Sequence, residues 1–152
     1  GCPEAGDTDR GEGCWSERRR REARALAEWT AGLPEPVIVA GDLNSYAREA
    51  PVRHLRRAGF RDLLRRRLPP EERYTFVYRG RSGYLDYLLL RGARDGVSVG
   101  HWAVNADEPR GVPAPGTVWR ATDHDPVWLD LAPLSSPPPA RPPGPGTAAP
   151  PP

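Results

Sequence analysis

Three short apolar runs, each ending beside or broken by an acidic residue, organise the chain. Val37-Ile38-Val39-Ala40 is closed by Gly41, and Asp42 and Asn44 follow at once. That pattern predicts a buried strand that delivers polar groups to its C-terminal end. Tyr84 to Leu90 is apolar except for Asp86, and Pro126 to Leu131 places Val127, Leu129 and Leu131 on one face just after Thr122-Asp123-His124-Asp125. Ala23, Leu26, Ala27 and Thr30 recur at helical spacing while Arg18 to Arg21 and Glu22 stay polar, which predicts a helix from a Ser16 cap to about Ala31, ended by Gly32 and Pro34. Pro51 opens a second short helix through Ala58, stopped by Gly59, with Leu63 and Leu64 packed beneath it. Tyr74 to Tyr78 reads as a strand, Arg79 to Gly83 as a turn and Tyr84 to Leu90 as the hairpin partner. Val97 to Val104 is a further strand, and Asn105 to Thr122 a long Pro- and Gly-containing loop of the kind that is functional or mobile. The order predicts a mixed α/β layered fold without internal repeats.

Composition changes this picture at the ends. Pro133 to Pro152 holds half of the 20 prolines and reads as a disordered or polyproline-like tail, leaving residues 1–132 as one domain. The chain has no Met, so it does not begin at a translation start and is either processed or a fragment. No run approaches the roughly 20 apolar residues of a membrane span, so no transmembrane segment is expected, and no signal peptide is visible. Cys2 and Cys14 bracket a polar loop, which suggests a disulfide in an exported protein, worth roughly 3 kcal/mol; the other reading is two free thiols.

Net charge is only +2, yet every basic residue is Arg. The runs at 18–21 and 65–67 have two readings. They are either solvated helix faces of an Arg-rich coding sequence or guanidinium patches for phosphate.

The candidate chemistry gathers at the three runs. Asp42 can orient or deprotonate a water or ligate a hard cation. Asn44 projects to the same side if the chain is still extended, its amide donating to a phosphate oxygen and its carbonyl facing a metal; the alternative is an Asx-turn. Asp86, set in an apolar strand, needs a partner, either His124 or an arginine such as Arg79 or Arg81. Asp123 and His124 are adjacent and diverge, one toward metal or water and one toward a substrate phosphate. Asp125 reads as the cap of its own turn. Asn105, Asp107 and Glu108 form either a second cation site or a capped turn, and His54 and His101 receive no role.

Gly41-Asp42-Leu43-Asn44, Leu85-Asp86-Tyr87 and Thr122-Asp123-His124-Asp125-Pro126 resemble, in order, the last three motifs of the endonuclease/exonuclease/phosphatase superfamily, the metal-dependent phosphodiesterase fold of pancreatic deoxyribonuclease and exonuclease III. Gly13-Cys14-Trp15, the run Val37 to Tyr46, Gly83 to Asp86 and Val104 to Pro109 look like its secreted bacterial nuclease branch. The resemblance covers about residues 1–131, with Thr122 where the family more often has Ser. The family's metal-binding Glu, early Asn and strand-borne His have no counterpart.

The resemblance therefore implies the C-terminal half of a two-sheet α/β sandwich of the deoxyribonuclease I type, a mixed, mostly antiparallel sheet flanked by helices. The N-terminal half of the domain is missing, and the fragment is expected to be inactive alone. It implies catalytic roles for Asp42, Asn44, Asp86, Asp123 and His124, with Asp42, Asn44 and Asp123 as metal ligands. Magnesium is the expected ion, with manganese or calcium possible, and DNA the expected extracellular substrate, with Tyr46, Trp119 and arginines against its backbone. The competing readings are a phosphatase or sphingomyelinase of the same fold, and a non-catalytic binding module.

Overall fold

The computed structural model describes residues 9, 11–108 and 119–132. The tail after residue 132, most of the loop at 109–118 and Cys2 lie outside the described residues, as do the expectations attached to them. No described cysteine is free.

The elements run α1 (Ser16–Ala31), β1 (Val37–Asp42), α2 (Ala50–Arg57), β2 (Arg61–Asp62), α3 (Leu63–Arg67), a short 3-10 turn (Pro70–Glu72), β3 (Phe76–Tyr78), β4 (Arg81–Gly83), β5 (Asp86–Arg91), β6 (Val97–His101) and β7 (Val127–Leu131). They make a mixed α/β fold with three small sheets, β1-β5-β2, β3-β4 and β6-β7, all paired antiparallel.

β5 is the structural axis because both of its faces are apolar. Alternate side chains point to opposite faces of a strand, so Tyr87 and Leu89 go one way and Leu88 and Leu90 the other. Tyr87 and Leu89 join Val37 of β1, Ala23 and Ala27 of α1, Val52 and Leu55 of α2, and Phe60 in one buried cluster. Leu88 and Leu90 join Leu63 and Leu64 of α3 and Val97 and Val99 of β6, with Val127 and Leu129 of β7 against them. The central sheet is thus covered by helices on one face and by α3 with the β6-β7 pair on the other.

α1 and α2 begin and end within a residue of their predicted bounds, but the cap of α1 differs. Ser16 is already helical and buried, and Trp15 stands at the cap in a left-handed conformation (φ 65°) without a side-chain cap bond. The larger correction concerns the hairpin. β3 pairs with β4, with Phe76 opposite Gly83, whereas the predicted partner, Tyr84 to Leu90, turns away to pair with β1 and β2. The reason is burial: four consecutive buried residues from Tyr87 to Leu90 need cover on both faces, which a two-stranded ribbon cannot supply. The strand expected over 97–104 ends at His101, because the backbone N–H groups of Val104, Asn105 and Ala106 are drawn to Asp125. No helix of the described residues is long and apolar enough to cross a membrane.

Candidate active site

The register of β1 against β5 puts Asp42 directly opposite Asp86. Like charges facing each other across paired strands repel, so this end of the sheet needs compensating positive charge or donors. Asp86 finds both. Its Oδ2 accepts the Thr75 hydroxyl at 2.6 Å and lies 2.7 Å from His124 Nδ1. A carboxylate on Nδ1 fixes the orientation of the ring, leaving Nε2 for other work.

Asp42 is exposed and finds its donors locally. Its Oδ1 accepts the Asn44 backbone N–H at 2.7 Å and its Oδ2 the Asn44 side-chain amide at 3.0 Å. Asn44 is therefore not on an extended strand: it sits in the left-handed region (φ 46°), and the turn folds its amide back onto Asp42. Gly41, at φ 141°, supplies a conformation that side chains rarely adopt just before the turn.

One ligand atom from each of Asp42, Asp86 and His124 falls within 4.8 Å of the others. Two carboxylates facing across the strands suit a divalent cation, and magnesium commonly takes one or two protein carboxylates plus substrate phosphate oxygens. The imidazole fits less well as a ligand for such a hard ion. Its Nδ1 is occupied by Asp86, so His124 and Asp86 read as a dyad beside the Asp42 carboxylate. Asp123, the other expected ligand, is exposed outside this cluster, its Oδ1 at 3.4 Å from the Thr122 hydroxyl.

His124 is held by parts that the chain order hides. Phe76 bridges to it through backbone pairing and places its ring 4.8 Å from the imidazole. Asn105, buried, donates its amide to the His124 carbonyl at 2.7 Å and accepts from the Ala121 N–H at 3.0 Å. These bonds support the capped turn over a cation site for Asn105. Asp125 is fully buried and does not cap its own turn. Its Oδ1 accepts three backbone N–H groups, from Val104, Asn105 and Ala106, at 2.7–3.0 Å, and its own N–H donates to the Thr75 carbonyl at 2.8 Å. Its Oδ2 lies 3.9 Å from His101 Nε2. Tyr74 stacks edge-on against that histidine and donates to Asp107 Oδ2 at 2.5 Å. That bond, with burial and the Asp107 and Asp125 charges behind it, pushes the Tyr74 hydroxyl up to about 12.

The far wall is tied down by Arg19. Its guanidinium donates to the Ser45 hydroxyl and to the carbonyls of Cys14 and Glu12, joining α1 to the loop after Asn44. Tyr87 donates to the Ser45 carbonyl at 2.8 Å from beneath, and burial raises its pKa. Tyr46, half-exposed, rests on Gly83, where a Cβ would come within 2.7 Å of its ring.

Sequence reasoning missed Thr75, Phe76 and the reach of Asp125. Thr75 and Phe76 look like ordinary β-formers, and the only available signal was that Asp86 and the turn before Pro126 both need donors.

A carboxylate–imidazole dyad beside a second carboxylate, at the mouth of a sheet with α-helical cover, is an arrangement suited to metal-assisted phosphoester chemistry. The sequence model of the Endonuclease/Exonuclease/phosphatase family matches residues 6–124, well over half of the chain and spanning all five candidate residues, and the chain belongs to that family. Its members are phosphoester hydrolases that typically use a divalent metal ion. No curated protein and no solved structure matches the chain.

Proposed function

We propose that this chain carries the catalytic C-terminal part of a secreted, metal-dependent nuclease that hydrolyses phosphodiesters in DNA. The observation that carries the reading is the Asp86–His124 contact at 2.7 Å, set within 4.8 Å of the Asp42 carboxylate.

In this mechanism Asp42 orients the attacking water and accepts its proton as the oxygen bonds to phosphorus. The bond from phosphorus to the leaving sugar oxygen breaks in line, and that oxygen takes its proton from solvent water, to which Asp42 later returns the proton it accepted. His124, oriented by Asp86 through Nδ1, presents Nε2 to the phosphoryl oxygens as negative charge builds on them. Asn44 holds the scissile phosphate once substrate draws its amide from Asp42. Asp42 with Asn44 beside it would hold the divalent ion, magnesium first and manganese or calcium next, which neutralises charge on the phosphate when bound; Asp123, outside the Asp42–Asp86–His124 cluster here, would join them only by turning toward it.

In this reading residues 1–132 belong to the catalytic domain, and an upstream first half of that domain supplies the remaining metal and His ligands. In support, among the described residues β1 is an edge strand of its sheet, with Ala40, Gly41 and Asp42 exposed, and no described strand pairs on its open side. A Cys2–Cys14 disulfide and the Pro-rich tail fit an extracellular setting.

The test uses the parent chain with the upstream half restored. Plasmid nicking that needs magnesium and disappears with EDTA and with His124→Ala is expected. Phosphate release from a lipid or small ester, without nicking, would replace the nuclease with a phosphatase or sphingomyelinase. Silence on every substrate from a folded protein would leave a binding module.

A further inference from the structure

Seven arginines and one acid, Asp62, lie between Ala50 and Arg67. The fold gathers six of them around one cleft of about 570 Å³ between α2, β2 and α3: Arg53, Arg56, Arg57, Arg61, Arg65 and Arg66. A second cavity shares Arg61 and Arg66 and adds Arg67 and Arg94, so the basic lining is continuous. Arg61 pairs with Leu90 across the sheet, four residues along β5 from Asp86. At a strand rise near 3.3 Å per residue the cleft begins roughly 13 Å from the dyad.

Three observations separate this cleft from an ordinary solvated helix face. First, its charge is unneutralised. Asp62 is buried and its two oxygens accept the Arg65 N–H and the Tyr84 hydroxyl. Arg53 faces Glu12 at 3.7 Å, while Arg56, Arg57, Arg65, Arg66 and Arg67 have no ion-pair partner among the described carboxylates. Arg61 and Arg94 are tied to the carbonyls of Gly92 and Ala132, contacts that orient the guanidinium and leave its charge in place. Second, the arginines of α1 behave differently: Arg18 and Arg20 pair with Glu22 and Glu17 on their own helix, and Arg19 turns inward. Third, the apolar lining of the two cavities is out of reach, because Phe60, Leu63, Leu90 and Val97 are all buried.

Unpaired guanidinium groups recognise phosphate oxygens in a two-pronged geometry. A continuous track of them fits a chain of phosphates better than a single anion. A bilayer surface would call for apolar or aromatic side chains able to enter the headgroup layer, and the cleft offers none. We propose that the arginine-lined cleft between α2 and α3 is a docking site for the phosphodiester backbone of a nucleic acid, separate from Asp42, Asp86 and His124. The site binds without chemistry, so it stands apart from the hydrolytic reading.

The test is fluorescence anisotropy of a labelled random-sequence DNA duplex with the 152-residue chain in EDTA, across a salt series. Arg57→Gln/Arg65→Gln/Arg66→Gln removes three exposed side chains without touching the core. Arg20→Gln/Arg21→Gln/Arg24→Gln on α1 removes the same charge elsewhere. The cleft variant is expected to bind roughly 10-fold more weakly, with a log affinity–log salt slope shallower by about 2 to 3, while the α1 variant stays near wild type. Equal losses in the two variants, or an unchanged slope in the cleft variant, would overturn the proposal. So would a cleft variant that keeps DNA affinity but loses binding to vesicles of phosphatidylglycerol and phosphatidylcholine, because the occupant would then be a lipid surface.

Discussion

The two ends of β5 carry opposite kinds of polar chemistry. At the Asp86 end nearly every charged group has a named partner: Asp86 with His124 and Thr75, Asp42 with Asn44, and Asp125 with three backbone N–H groups. At the Arg91 end, arginines line open space with few partners. The difference reflects what each task requires. Proton transfer and charge stabilisation need side chains fixed to within fractions of an ångström, which buried bonds supply. Recognition of a repeating polyanion needs charge density and reach, which exposed guanidinium groups supply without fixed geometry.

The contrast can be broken most severely at Asp125. Asp125→Ala leaves three N–H groups, two of them buried, without their acceptor, and we expect it to lower the unfolding free energy by about 3 kcal/mol in urea denaturation. Duplex affinity at the arginine cleft, read in EDTA below the unfolding transition, should stay within about twofold, because the sites share no partner. A parallel loss of both would mean that the two ends are one cooperative unit.

Thr75→Val sharpens the comparison at smaller cost. It keeps shape and removes the hydroxyl that Asp86 accepts. Stability should fall by about 1 kcal/mol and nicking kcat by about 10-fold with KM unchanged. A rise in KM alone would move Thr75 from positioning Asp86 to binding substrate.

The smallest effect is expected at Tyr74. Its hydroxyl titrates at about 12 in the fold against 10.0 for a free tyrosine, chiefly because it donates to Asp107. The folded state holds the proton more tightly, so this stabilisation is complete below pH 10 and lost as pH rises from 10 to about 12. Tyr74→Phe should cost under about 1 kcal/mol at neutral pH and flatten the decline in that window, read by thermal melts. Curves that stay parallel would remove Asp107 as the partner that matters.

Much of this was legible in the chain itself, wherever the signal was local. The spacing of Ala23, Ala27 and Thr30 and the apolar run around the isolated acid in β5 each announce burial over a few residues, and the β-branched run into Gly41 announces a strand, though only Val37 of it is buried. Pairings between distant residues left no such trace. Nothing in the order of residues says that β5 abandons its hairpin neighbour for β1, since that choice depends on which surfaces are available to cover both its faces. The sequence left Asn44 between an extended strand and an Asx-turn, and the left-handed turn set by its bond to Asp42 decides for the second. Asp125 was assigned to its own turn because its three donors lie 19 to 21 residues away. The run at 65–67 carried a phosphate reading already, but its joining with Arg53 to Arg57 in one cleft did not show, because they meet only when α2 and α3 fold against β5.

The central claim is that Asp86 acts through His124, beside Asp42, in phosphodiester hydrolysis. A double-mutant cycle on nicking kcat in magnesium, with the upstream half of the domain restored, tests it most directly. His124→Ala and Asp86→Asn are each expected to lower kcat by about 10³-fold, and the double variant to be no slower than the worse single. Losses that multiply, or a His124→Ala enzyme at the wild-type rate, would contradict the dyad and with it the account of this site.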